Sequence, residues 1–401
     1  MSTLVPSLPA NRRICELLIQ YVLPLGWVML LTSLFWVGNR SAVHTLFYVL
    51  LALPTLVVVV LRPGLLKPLA GNSLFIAFVL FSVYIFISQF WATGIDGFDD
   101  GFKRPFYLGL LLFSAGLMNH VDAPRFILST RAAAVLAAVC AVGSLLWFMW
   151  APRPIDGRLT GYGALENPLL TAHVLGAFAA YWLASWMLAP RMLDALSLLC
   201  LAALGAAILA TGSRTPMVGL SAAVLWLLVV GNRRRALLLV GLVAALLLVL
   251  LAVDPAQITQ RGVSYRPSIW AESLHQISLK PLLGYGYGTS MTVSIPELQN
   301  VTFADPHNIE LGVLYSAGIV GLVLWLGLYG AAARWCWQLR RDPLMVIAST
   351  WLVYGFAAGL TEGNAFFSRP KEHWFLIWIP MAMVYGRALA LHLKARQPHG
   401  S

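Results

Sequence analysis

Charge is scarce in this sequence. Only 11% of its 401 residues are Asp, Glu, Lys or Arg, against roughly 25% in a typical soluble domain. With 59% of the chain hydrophobic and a mean hydropathy of +0.78, a water-soluble enzyme is excluded. Cysteine is nearly missing too: Cys15, Cys140, Cys200 and Cys336 fall within or at the ends of apolar blocks, so neither a disulfide framework nor a CxxC metal site is present. No Ser-His-Asp ordering, HExxH or Walker sequence occurs, and no length remains for a soluble nucleotide-binding domain. No internal repeat is visible and the two halves show no matching broken helices, which weighs against a transporter. No small-residue cleavage site follows the first apolar block, so it reads as a retained span rather than a signal peptide. The Arg12-Arg13 pair lacks the rest of a twin-arginine signal and reads as a topology anchor.

Long apolar runs are what the chain does have. A helix needs about 20 apolar residues to cross roughly 30 Å of hydrocarbon, and these runs are continuous, which predicts helices rather than a barrel. The expected fold is all-α: a polytopic membrane protein of about twelve transmembrane helices, forming a single integral membrane domain over residues 1–401. Spans are expected near Leu17–Val37, Ala42–Leu61, Ser73–Ala92, Phe106–Met118, Ala132–Ala151, Leu169–Leu188 and Leu193–Ala210. Five more follow near Pro216–Val230, Ala236–Val253, His307–Ala331, Leu344–Thr361 and Trp374–Leu391. If Arg12 and Arg13 start in the cytoplasm, both termini end there. That assignment puts 16 of the 27 Lys and Arg, but only 4 of the 16 Asp and Glu, on the cytoplasmic side. The net charge of +11 is thus mostly a topology signal that requires no nucleic acid, and the Arg233-Arg234-Arg235 run reads the same way.

One connection is long. Residues 254–306 form a polar loop on the outer side, and loops of that length are functional or disordered. Trp270, Leu274 and Ile277 recur at helical spacing, Pro267 suits a first turn and Pro281 a stop, so a short amphipathic helix is expected near Pro267–Leu279. It would lie on the membrane surface as a lid, with Trp270 at the interface. The loop carries Arg261, Arg266 and Lys280; Arg214 sits in the turn Thr211-Gly212-Ser213-Arg214-Thr215. A guanidinium at the edge of hydrocarbon snorkels, pairs with an acid, or meets an anion. Arg214 and Arg266 together favour an anion, because their forked donors recognise phosphate bidentately.

After the loop comes Asp305-Pro306-His307-Asn308. Asp305 would cap the next helix and Pro306 open it, placing His307 in the first turn. The helix dipole there would disfavour imidazolium and leave a neutral ring able to accept a proton, the alternative being a wet interfacial histidine with no chemistry. Glu310 could orient His307 or face a polar cavity. Gly284-Tyr285-Gly286-Tyr287-Gly288 lacks the context of a dinucleotide fingerprint; it suits a sugar-contacting turn or a plain loop. Asp96, Asp99 and Asp100 read as a solvated acidic loop rather than a cation site. Glu362, Arg369, Lys371, Glu372 and His373 form a last polar cluster, an expected wall of an outer vestibule and part of an anion path, and Arg158 and Asn167 have the same status. Far from cytoplasmic ATP, an enzyme on this face needs a substrate bearing its own leaving group, as a lipid-linked diphosphate does.

His307-Asn308, nine intervening residues and Gly318-Ile319-Val320-Gly321 resemble the signature of bacterial O-antigen ligases, the WaaL family. The Thr211-Gly212-Ser213-Arg214 turn and the stretch from Arg266 to Pro281-Leu282-Leu283-Gly284-Tyr285-Gly286 resemble its other blocks, so that about Gly205–Gly321 matches closely and the first half only in topology. The resemblance implies a bacterial inner-membrane enzyme of glycosyltransferase type C-like build, its active site facing the periplasm and residues 254–306 its large periplasmic loop with short helices. It implies transfer of O-antigen polysaccharide from undecaprenyl diphosphate to a sugar of lipid A-core, completing lipopolysaccharide with no metal, cofactor or nucleotide. His307 matches the catalytic base and Arg214 and Arg266 the diphosphate-binding arginines, with Arg261 a weaker match; Asn308, Glu310, Arg158, Tyr285 and Arg369 are expected in support. The expected mechanism is inverting displacement, His307 taking the acceptor proton while the arginines stabilise the departing diphosphate. An O-antigen polymerase, a protein O-oligosaccharyltransferase and a flippase or transporter for lipid-linked glycan are the alternatives.

Overall fold

Runs of apolar residues in hydrocarbon must satisfy their backbone internally, and helices do so within one segment. The computed structural model describes residues 10–93, 98–151, 157–241, 265–295, 301–363 and 365–396. Arg261, Asp96 and the end of the expected Ala236–Val253 span lie outside them. Six helices among the described residues are long and apolar enough to cross a membrane: α1 (Asn11–Phe35), α2 (Arg40–Leu61), α3 (Ser73–Trp91), α4 (Asp100–Trp150), α5 (Pro168–Leu188) and, further on, Ile309–Gln338. Between the last two come the shorter apolar helices α6 (Ala195–Thr211) and α7 (Thr215–Val230), then α8 (Arg266–Leu279) and the strands β1 (Val293–Ile295) and β2 (Val301–Phe303). Ile309–Gln338 is therefore α9, and α10 (Pro343–Gly359) and α11 (Trp378–Arg396) complete the order. The protein is a multi-pass α-helical membrane protein.

The helices depart from regularity where the sequence demands it. α1 and α2 each contain a π turn, Leu18–Val22 and Tyr48–Ala52, directly before a proline at the next helical start, Pro24 and Pro54. A widened turn accommodates the N–H that proline lacks. The two expected spans at Phe106–Met118 and Ala132–Ala151 share one element, α4, broken at Asp122 (φ −148°, ψ 73°). There Asp122 Oδ1 accepts the Arg125 N–H at 3.0 Å, capping the second half.

α9 breaks at Gly318 (φ 63°, ψ −167°), and the loop before it repairs the break. The N–H groups of Tyr285 and Gly286 donate to the carbonyls of Tyr315 and Ser316 at 2.8 and 2.9 Å, while Ile319 N–H donates to Pro281 O at 2.8 Å. Groups freed by the break thus find backbone partners in the Pro281–Gly286 stretch, and Ala317 O accepts from the Tyr84 hydroxyl at 2.9 Å, as buried backbone requires. A Cβ at Gly318 would sit 2.2 Å from Leu282 O, so a side chain there is excluded on space as well as on φ.

Fully buried tryptophans cross-link the bundle. Trp27 Nε1 donates to Thr130 Oγ1 (3.0 Å), Trp182 to Ala134 O (3.1 Å) and Trp351 to Phe375 O (2.7 Å), combining large apolar burial with a satisfied donor. Outward-facing Val60, Leu199 and Leu209 are about 70% exposed, as lipid-facing residues should be. α8 runs close to the expected Pro267–Leu279. It buries Ile269, Ser273 and Ile277 in a small core with Val293 and Ile295 of the hairpin and Tyr315 of α9. β1 and β2 pair antiparallel with Val293 opposite Phe303, holding the chain that leads into His307. The Trp270 indole, expected at the membrane interface, donates to Pro306 O at 3.1 Å, beside His307.

Candidate active site

The segment after α10 is where the site is assembled. Asn308 caps α9 by accepting the Leu311 N–H (2.9 Å) and donates its amide to Leu360 O (2.9 Å). Arg266, at the first position of α8, donates Nε to Thr361 O (2.9 Å) and a terminal N–H to Glu362 Oε2 (3.3 Å). His307 Nδ1 lies 3.1 Å from Glu362 Oε1 and 3.3 Å from Asp305 Oδ1. Residues 360–362 are therefore clamped by Asn308, Arg266 and His307, and two of these sequence-identified side chains, Arg266 and His307, meet on one carboxylate.

His307 has φ +48°, and no other non-glycine residue among those described has a positive φ. Such a conformation costs an L-residue roughly 1–2 kcal/mol and gathers at functional sites. Asp305 supports it by accepting the His307 backbone N–H at 2.8 Å.

The electrostatics reverse the expectation for His307. The helix cap is Asn308 rather than Asp305, and α9 begins at Ile309, so His307 precedes the first turn. The hydrogen bond to Glu362 outweighs burial, and the charges of Glu362 and Asp305 add to it, so the imidazole pKa is raised above 6.5. Two carboxylates in direct contact exceed the partial charge of a helix end. For Glu362, burial alone would raise the pKa; the hydrogen bond and charge of His307, with His173 and Arg266 beyond it, hold it below the usual value.

Arg214 is exposed at the N-cap position of α7, which starts at Thr215 with Pro216 as its second residue. Its turn is anchored twice: Arg158 Nε donates to Thr211 O (2.8 Å), and Thr215 Oγ1 lies 3.3 Å from Nε2 of the buried His173. His173, which the sequence did not single out, is thus the buried residue behind the Arg214 turn.

The other expected residues disperse. Glu310 does not orient His307. Its Oε2 is buried without a hydrogen-bond partner, and its charge acts on Tyr329 inside the bundle. Glu362 takes the orienting role instead, having been expected only in a vestibule wall. The wall itself comes apart: Glu372 pairs with Arg40 (3.0 Å), Arg369 approaches Asp100 (3.8 Å), and His373 is buried beneath Gly363. Tyr285 stacks on Tyr315 (4.5 Å between centroids) under Lys280, and its hydroxyl donates to Gln276 O. Asp99 pairs with Lys103 and Asp100 with Arg104. Among the described residues no group of three or more His, Cys, Asp or Glu could hold a metal ion.

A helical bundle with a His–carboxylate–Arg cluster at one end defines a polytopic membrane enzyme. A family profile described as O-Antigen ligase matches residues 198–326, which include Arg214, Arg266, His307 and Gly318 but not Glu362. A Pseudomonas aeruginosa protein named O-antigen ligase is 52% identical over 371 residues, covering 92% of this chain and 91% of its own. A Rickettsia felis protein named putative polysaccharide ligase is 31% identical over 77 residues, 17% of this chain and 19% of its own. The chain belongs to the O-antigen ligase family, and it is an enzyme.

Proposed function

We propose that the protein transfers O-antigen polysaccharide from undecaprenyl diphosphate to a sugar hydroxyl of lipid A-core. In this reading it is a twelve-span, glycosyltransferase type C-like protein of the inner membrane, with both termini cytoplasmic and the His307 cluster facing the periplasm. The observation that carries the mechanism is the contact of His307 Nδ1 with Glu362 at 3.1 Å. With Nδ1 held, Nε2 is the nitrogen left to take a proton from the acceptor hydroxyl, and Glu362 stabilises the imidazolium that forms. The acceptor oxygen then attacks the anomeric carbon, the bond to the diphosphate breaks, and configuration inverts.

Arg266 stands beside the same carboxylate, about a quarter exposed (26%), and meets the departing diphosphate from there. Arg214, on its anchored turn at a helix start, adds a second guanidinium, and Arg158 positions that turn. A diphosphate is a good leaving group, so neither acid catalysis nor a metal is required of this chain. The test is transfer in purified components, with lipid-linked donor, lipid A-core, chelator and no nucleotide. Wild type is expected to build lipopolysaccharide and His307→Ala to build none. Full transfer by His307→Ala overturns the mechanism; elongation of the donor glycan by wild type, without attachment to lipid A-core, favours a polymerase.

A further inference from the structure

A cavity of about 550 Å³ lies between the start of α3 and the last turns of α9 and α11. α3 and α9 run antiparallel: Tyr84 Oη donates to Ala317 O at 2.9 Å in mid-span, and Trp335 Nε1 donates to Ser73 Oγ at 3.1 Å beside the cavity. Because α9 begins at Ile309, next to His307, its Arg334 stands about 40 Å of helix away at 1.5 Å per residue. The cavity is therefore at the opposite end of the bundle from the candidate active site. Lys67, Arg334 and His392 line it with Ser73, Trp335 and Gln338, and among the described residues no carboxylate does.

Lys67 and Arg334 are exposed, and neither forms an ion pair among the described residues; Arg387, on the same helix as His392, is by contrast closed off by Asp342. An excess of cations on one side of a membrane is a topology signal. Two of them and a histidine on one concave wall, with no acid to answer them, need a further reason, and a phosphate-type anion supplies it. Ser73 Oγ accepts from Trp335 and keeps its own proton to donate, and the Gln338 amide adds donors. Apolar faces lead away from this polar wall. On α3, Ser73 is followed at helical spacing by Ile76, Leu80, Val83 and Ile87, each about half exposed. On α9, Arg334 is preceded at the same spacing by Gly330, Gly327 and the exposed Val323, and a Cβ at either glycine would meet nothing within 4 Å. A free phosphate would use the polar wall alone; a phosphate carrying hydrocarbon chains uses all three surfaces.

We infer that this cavity seats the headgroup of an anionic glycerophospholipid, with its phosphodiester between Lys67 and Arg334 and its acyl chains along α3 and α9. In the topology proposed above this is the cytoplasmic leaflet; the binding itself does not rest on the ligation reading. The lipid is a resident of the bundle rather than a substrate, since His307 lies at the other end of α9.

The experiment titrates phosphatidylglycerol or phosphatidylcholine into the full-length protein in non-ionic detergent and reads bound lipid by native mass spectrometry, with glycerol 3-phosphate as competitor. Wild type is expected to hold phosphatidylglycerol about tenfold or more tightly than phosphatidylcholine, and Lys67→Gln/Arg334→Gln to lose that preference. Arg233→Gln/Arg234→Gln removes the same charge from exposed positions just after α7 and should bind within about twofold of wild type, as distant charges are screened. Arg334→Glu, a single exposed change, carries the test if the first double variant fails to fold. Equal losses in the two double variants would reduce the effect to general surface charge and overturn the inference, as would equal binding of the two lipids by wild type. Competition by glycerol 3-phosphate at the lipid's own concentration overturns the lipid assignment in favour of a free phosphate.

Discussion

Helix α10 carries an arginine–carboxylate pair at each end, and the two are built differently. At its start, Arg387 grips Asp342 through two donors, at 2.8 and 2.5 Å, and Asp342 also accepts the Met345 N–H at 3.0 Å. Past its end, Arg266 reaches Glu362 through a single 3.3 Å contact, and the other oxygen of Glu362 holds His307. The first pair is a closed fork, joining α10 to α11 and capping a helix with the same carboxylate. The second shares one carboxylate between a fixed charge and a titratable ring. Saturated hydrogen bonding suits a joint; a carboxylate held between two cationic partners suits a place where charge must move.

Substitutions at the two ends should therefore separate activity from stability. The largest effect is expected for His307→Ala, a fall in transfer rate of about a hundredfold or more, as loss of a general base gives. Its melting temperature should stay close to wild type; a large drop would make His307 a structural residue. Next, Arg387→Gln should cost about 3 kcal/mol of stability by leaving Asp342 unpaired, read as a lowered melting temperature in detergent, with turnover per folded molecule unchanged. Lost turnover in folded Arg387→Gln would erase the distinction between the ends.

Arg266→Lys keeps the charge and loses the fork, so kcat/KM for the lipid-linked donor should fall about tenfold, with unchanged affinity for the acceptor. The smallest effect is a shift in pH profile. The raised pKa of His307 means that activity should be lost as pH falls through a midpoint above 6.5, because the protonated ring cannot act as a base. In Glu362→Gln the negative charge that holds this proton is gone, so the midpoint should move to lower pH while the maximal rate drops. A midpoint that stays put would show that His307 and Glu362 do not titrate as a unit.

The helices were legible because hydrocarbon imposes one solution on apolar runs of sufficient length: α3 (Ser73–Trp91) and α5 (Pro168–Leu188) each depart by one residue from the expected Ser73–Ala92 and Leu169–Leu188. The break at Gly318 was not, since a glycine in an apolar helix reads equally as close packing, and only the Pro281–Gly286 backbone decides between them. The site was half legible. His307, Asn308 and Arg266 stand in recognisable local patterns, whereas Glu362 meets His307 across 55 positions through the packing of α9 on α10. The same distance explains the reversed charge environment of His307: a helix end can be read from neighbouring residues, but a carboxylate arriving from another helix cannot. His173 gave no signal because a lone histidine in an apolar span resembles many others.

The stitched break in α9 also constrains how this enzyme can be re-engineered. Residues 281–286 and 315–320 complete one another's backbone, so they form one inheritable part despite their separation in the chain. Grafting the loop before α9 from a relative onto this bundle should succeed only when both halves travel together; a loop moved alone would leave the recipient helix with unmet amides and carbonyls at its kink.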